Sequence, residues 1–246
     1  MKIMQNIICI VATLFCTLTA SAAITRSELD SIFDTFHSIY DPKLSDSEVI
    51  QFNPRGTSGI DWWEIEQFRA SYFHYQSDET GLLTRNIWLF GGMARKPFMT
   101  VDGVALIICH ELGHGFGGPP YKRSGMTSEG QADYYATGQC LKDFFADWEG
   151  ADNREELLLE ERALCTALYQ HEDDLHYCFR ALNATKTRAE AFLQHAGVPT
   201  SLLTPDPTVV TEMNDADTYY PAHQCRIDTY LNGILLQDQP RCWFVE

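Results

Sequence analysis

The chain has 246 residues, 45% hydrophobic and 12% aromatic, with 18 Lys and Arg against 34 Asp and Glu, a net charge of −16 at pH 7. That length and apolar content support a sizeable core and one lobed domain, short of a clear case for two. The acidic balance, spread without a long single-sign run, argues against nucleic acid as a partner, and no stretch beyond the leader approaches the ~20 apolar residues of a membrane helix.

The first residues read as an address. Lys2 supplies a positive n-region, residues 7–18 an apolar h-region and Ala20-Ser21-Ala22 an A-x-A cleavage signal, the pattern of a secretory peptide. Cleavage is expected after Ala22, leaving residues 23–246 as a single periplasmic or secreted domain with no transmembrane segment. Thr13, Leu14 and Phe15 before Cys16 lack the small residue that lipoprotein processing requires. Once Cys9 and Cys16 are removed, Cys109, Cys140, Cys165, Cys178, Cys225 and Cys242 remain, an even set for which disulfides are the default in an exported chain. Six cysteines admit about 15 complete pairings. The preferred one joins Cys165 to Cys178 and Cys225 to Cys242 locally, leaving Cys109 and Cys140 to tie two helices together. No C-x-x-C pair offers a cysteine zinc site.

Along the mature chain, Ile32, Phe33, Phe36 and Tyr40 recur at helical spacing, so residues 25–40 are expected to form a helix against the core. Residues 53–56 form a turn, and residues 62–75 are aromatic-rich without a clear period, which leaves helix and strand open. Residues 86–90 read as a short strand closed by Gly91 and Gly92, either an ordinary core strand or an edge along which an extended substrate backbone pairs. Val104, Leu106, Ile107 and Ile108 then announce a helix buried on most sides. It must end soon after His114, because Gly115, Gly117, Gly118, Pro119 and Pro120 follow. A loop runs to about Thr127, and Ser128 with Gln131 fits an S-x-x-Q capping box that opens a second helix. Residues 154–170 suggest an acidic amphipathic helix with Glu155, Glu156, Glu160 and Glu161 toward solvent, and residues 188–195 a further helix ended by Gly197 and Pro199. Residues 200–221, with Pro205, Pro207 and Pro221, form a long irregular connection that can border a cleft. The class is α+β and predominantly helical, with a small sheet upstream of two antiparallel motif-bearing helices.

The chemistry lies in His110-Glu111-Leu112-Gly113-His114 and Glu129-Gly130-Gln131-Ala132-Asp133. Residues four apart share a helix face, so His110 and His114 can reach one metal ion while Glu111 is turned about a quarter of the circumference aside. Glu129, in the first turn of the second helix, adds a carboxylate. Two imidazoles and one carboxylate leave a fourth tetrahedral position open, which is how a catalytic zinc is held. Asp133, one turn further, is placed to accept the second ring N–H of His110 and fix its tautomer. An isolated H-E-x-x-H also arises by chance, and an aspartate four residues after a glutamate is often a solvated face. The apolar helix, the breaker loop and the capped E-x-x-x-D set this occurrence apart.

Residues 102–114, 129–133 and 221–227 resemble the gluzincin zinc peptidases, in particular the HtpX and CAAX prenyl endopeptidase family with its soluble periplasmic relatives. That family follows H-E-x-x-H and E-x-x-x-D with H-P-x-x-x-x-R-I; here the third element reads Tyr220-Pro221-Ala222-His223-Gln224-Cys225-Arg226-Ile227, with tyrosine in the histidine position. The resemblance covers about a third of the chain and implies a zincin-like core, His110, His114 and Glu129 as zinc ligands, and Glu111 as the base. It further implies that Arg226 holds the cleft together electrostatically and that Tyr220 faces the metal, with His223 as a second hydrogen-bond donor to a developing oxyanion. The implied activity is zinc-dependent endoproteolysis of a protein or peptide substrate. The alternatives are another zinc hydrolase, such as an aminopeptidase or cell-wall amidase, and a non-catalytic, chaperone-like zinc module, against which the intact Glu111 argues.

Overall fold

The computed structural model describes residues 23–55, 59–150 and 157–245. The expected export signal, with Cys9 and Cys16, lies outside the described residues, as do Glu155 and Glu156. About half of the chain is helical, and one three-stranded sheet accompanies the helices, so the α+β class holds.

Helix α1 (Arg26–Tyr40) opens on a capping box in which Thr25 and Glu28 satisfy each other's backbone N–H, and it buries Leu29, Ile32, Phe33, Phe36 and Tyr40. The sheet follows, built from β1 (Glu48–Phe52), β2 (Ala70–Gln76) and β3 (Leu83–Leu89) in the order β1-β3-β2, with β1 parallel and β2 antiparallel to β3. The aromatic-rich stretch therefore divides into a 3-10 turn, Trp62–Glu64, capped by the Asp61 carboxylate, and strand β2 beyond it. Strand β3 lies at the centre with both sides hydrogen-bonded and with Ile87 and Leu89 fully buried. Of the two readings of residues 86–90, the core strand is the one formed, and β2 is an edge strand beside it.

After the short helix α2 (Gly91–Ala94) comes α3 (Val101–Phe116), in which every residue from Val101 to His114 is buried. A helix apolar on all sides needs neighbours on all sides. Here β2 and β3 cover one flank, and α4 (Glu129–Tyr135) and the long α7 (Glu172–Ala196) cover others. Gly113 sets the closest approach, since a Cβ there would stand 2.8 Å from both the Cα and the carbonyl oxygen of Ala132 on α4. Through a π-helical stretch, Ala136–Cys140, α4 continues into α5 (Leu141–Asp147). Contacts between α3 and this second segment run in opposite directions, His114 to Glu129, His110 to Asp133 and Cys109 to Cys140, so the two are antiparallel as expected.

Three local expectations are corrected. Ser128 precedes α4, but its hydroxyl caps nothing and Gln131 reaches instead to the carbonyl of Gly117 at the end of α3, at 2.9 Å, so no capping box forms. In α6 (Leu159–Leu168), Glu161 is buried, accepting from the Leu158 N–H at 2.8 Å and from Lys186 Nζ at 3.0 Å, whereas Glu160 faces solvent. Helix α7 begins at Glu172, well before residue 188. Its first half is rich in polar residues, and what buries them is tertiary pairing: Arg180 meets Asp102 of α3 through two hydrogen bonds of 2.7 and 3.1 Å. Asn183 of the Asn183-Ala184-Thr185 sequon is also buried in this helix. Gly197, in the left-handed region at φ +69°, ends it. Residues 198–222 form no regular element before α8 (His223–Ile234).

The disulfides are Cys109–Cys140, Cys165–Cys178 and Cys225–Cys242, the pairing preferred from spacing. Three of them are the cysteine usage of an oxidising compartment. Among the described residues no helix is long and apolar enough to cross a membrane.

Candidate metal centre

Helix α3 places His110 and His114 one turn apart, with ring centroids separated by 4.8 Å. Each ring has one nitrogen engaged on the protein side. His114 Nδ1 donates to the carbonyl of Thr127 at 2.9 Å, and His110 Nδ1 lies 2.7 Å from Asp133 Oδ1. That engagement fixes the ring orientations and turns both Nε2 atoms toward α4. There they meet Glu129: His110 Nε2 is 3.3 Å from Oε2 and His114 Nε2 is 3.4 Å from Oε1. Glu129 Oε2 is buried and has no hydrogen-bond partner. Two donors bound at about 2.05 Å to one tetrahedral ion stand about 3.3 Å apart, so the spacing and the orphaned oxygen fit a small divalent cation. This buried His-His-Glu group can hold a metal ion. Elsewhere among the described residues Asp206 approaches Cys225 and Cys242, but those sulfurs are joined to each other.

The surrounding charges are arranged around these donors. Burial opposes charge on His110, yet the Asp133 carboxylate against its ring outweighs this and raises the imidazole to about 9. His114, buried and close to His110, is pushed down to about 4. Burial also opposes ionisation of Glu129 and Asp133, but His110 and Arg226 around both hold the two carboxyls well below the ordinary range. Arg226 grips Asp133 through Nε and Nη2 at 2.6 and 2.7 Å, and Nη2 stands 3.6 Å from Glu129 Oε2. Lys122, buried in the loop before α4, donates to Glu129 Oε1 at 2.7 Å.

Glu111 stands outside the ligand group and lines a cavity of about 560 Å³ together with His110, His114 and Glu129. Burial pushes its carboxyl above the ordinary carboxylate value, the direction that suits a group exchanging protons near neutral pH. Tyr220 and His223 line the same cavity. The Tyr220 phenol is raised by the Glu129 charge and by burial, so it stays protonated as a donor, while burial and the charges of Arg226 and Arg188 lower His223. The expectation for Arg226 divides: two of its nitrogens are committed to Asp133, so it organises the ligand helices, and Tyr220 and His223 remain as the donors that face open space.

Seven of the eight residues singled out from the sequence line one cavity, and the eighth, Asp133, lies buried behind His110. Lys122, Thr127 and Arg188 were not singled out. A lysine in a Gly- and Pro-rich loop carries the signature of a solvated residue, and a backbone carbonyl has no signature in sequence at all. The chain matches no protein-family model, no curated protein and no solved structure.

Proposed function

We propose that this chain is an exported zinc-dependent endopeptidase with a zincin-like, gluzincin-type core. One observation carries the reading: the two Nε2 atoms of an H-E-x-x-H helix converge on Glu129, whose Oε2 is buried without a hydrogen-bond partner, while Glu111 lies beside them in a cavity large enough for a peptide segment. The edge strand β2 supports a peptide substrate, because Ala70, Ser71 and Tyr72 line that cavity. A chain laid along β2 is held straight by backbone pairing, independently of its sequence.

His110, His114 and Glu129 would hold the ion. When bound, it supplies Lewis acidity, polarising a carbonyl and acidifying water. Glu111 takes the proton from the attacking water at its carboxylate and delivers it to the leaving nitrogen. Tyr220 donates its hydroxyl proton in a hydrogen bond to the oxygen on which negative charge develops, with His223 as the second candidate. Asp133, braced by Arg226, keeps His110 in the tautomer that leaves Nε2 free.

Cleavage of an unfolded protein such as casein, abolished by a chelator and restored by zinc, is the direct test; activity that survives metal removal would overturn the reading. His114→Ala is expected to lose the metal, measured by elemental analysis, and with it any difference in melting temperature between chelated and zinc-loaded protein. Metal uptake is also linked to pH. The His110 imidazole titrates at about 9 before the ion arrives, so at pH 7 it carries a proton that must leave. Affinity therefore rises with pH, by about tenfold per unit below pH 9, with release of roughly one proton. Titration calorimetry in buffers of different ionisation enthalpy reads that number; an enthalpy independent of buffer would contradict it.

A further inference from the structure

Three guanidinium groups that the fold withdraws from solvent have carboxylate partners: Arg85 with Glu48, Arg180 with Asp102 and Arg226 with Asp133. Arg188 on α7 is different. It is half-buried, its Nε is buried without a hydrogen-bond partner, and among the described residues no carboxylate pairs with it. The Glu111 carboxyl across the cavity feels its charge but makes no ion pair with it, and a partly desolvated cation without a contact partner is unfavourable and unexpected in a chain with 34 acidic residues to supply one.

Its position explains the exception. Arg188 lines the same cavity as Glu111, with its guanidinium over the Phe192 ring at 4.5 Å from the centroid. Phe192 is itself braced by the His223 ring at 4.4 Å. The guanidinium therefore rests on a supported aromatic platform with its hydrogen-bonding groups unspent. The other cations along the cavity differ: Lys122 is taken by Glu129, Arg226 by Asp133, and Arg69 is exposed. A planar guanidinium with free N–H groups in a low-dielectric cleft selects a carboxylate, which it can grip through two parallel hydrogen bonds.

We infer that Arg188 is the specificity residue of this cleft and docks a carboxylate of the bound peptide, from an Asp or Glu side chain near the bond to be cut or from the C-terminus itself. This inference rests on the peptidase reading and names its substrate class. Binding separates the two when measured without turnover, by fluorescence anisotropy of labelled peptides on the zinc-loaded Glu111→Gln protein. Four forms of one peptide are compared, with Glu or Gln in the interior and with a free or amidated C-terminus, together with a scan that moves the single Glu along the chain. A carboxylate form is expected to bind about tenfold or more tightly than its neutral match. Preference for interior Glu assigns the side chain, and preference for the free terminus assigns the C-terminal carboxylate. Adding Arg188→Gln abolishes the preference while neutral peptides bind as before, and Arg188→Lys keeps part of it. Because Arg188 has no ion pair to lose, Arg188→Gln leaves the melting temperature within about 2 °C. Equal binding of all four forms, no binding of any, or a preference that persists in Arg188→Gln overturns the inference. Casein cleavage by the wild-type protein, run in parallel, tells the failures apart: cleavage without carboxylate preference removes Arg188 alone, preference without cleavage removes the peptidase reading, and neither result removes both.

Discussion

On the proposed peptidase reading, Glu111→Gln is expected to retain the full metal content and to lose hydrolysis of an unfolded protein by roughly 10²- to 10⁴-fold, the usual contribution of a positioned acid–base group. The side chain keeps its shape and its place beside His110, and it is not one of the three converging donors. What it loses is the ability to take up a proton. The same group is expected to set the acid limb of the pH profile. Its carboxyl is raised by burial, and only the ionised form acts as a base, so activity falls as pH drops through a value above the ordinary carboxylate range. A variant that cleaves at the wild-type rate, or one that also loses its metal, would each contradict the assignment, the first by removing the base and the second by making Glu111 a ligand.

Arg226→Met is expected to give the largest loss of stability. Asp133 is fully buried, and with Arg226 gone it keeps the His110 ring and the Tyr230 hydroxyl but loses its two-point cationic partner. Breaking a buried pair while leaving one charge behind costs about 3–5 kcal/mol, which lowers the melting temperature of a domain this size by roughly 10 °C. Arg226→Lys restores charge without the two-point grip and falls between the two. The pH dependence follows from the sign of the shift. Burial raises the Asp133 carboxyl, but Arg226 and His110 prevail and hold it well below the ordinary range. A depressed carboxyl stabilises above its unfolded value of about 4 and loses that contribution as pH falls below it. The wild type therefore destabilises on acidification more steeply than Arg226→Met. Thermal melts of the chelated proteins between pH 3 and 7 would show this, and parallel curves would rule the pair out as the source of the stability.

The candidate ligands were legible because helical periodicity is local. Two histidines four apart on an apolar segment must share a face, and a breaker-rich loop of a dozen residues brings a second helix back along the first. Gly113 belongs to the same logic: within H-E-L-G-H it is the residue over which α4 passes, and a side chain there would meet the backbone of Ala132. The disulfides were legible for a related reason, since Cys165 with Cys178 and Cys225 with Cys242 are close in sequence and the remaining pair lies on the two motif helices. Strand pairing was less so. Residues 86–90 carry the marks of a strand, but whether a strand is central or at an edge depends on partners elsewhere in the chain, here β1 and β2.

The sequence by itself determined which side chains can bind an ion and which carboxylate stands beside them, because those follow from the helical repeat; for the cysteines it offered a preferred pairing among many, and the fold selected it. Only the tertiary structure decided the electrostatics: Arg226 reaches Asp133 from 93 residues away, Lys122 turns inward to Glu129, and Arg188 is left unpaired at the cleft. Charge–charge energies depend on separation and burial, and for residues far apart along the chain both are set by the packing of helices whose spacing no local pattern encodes.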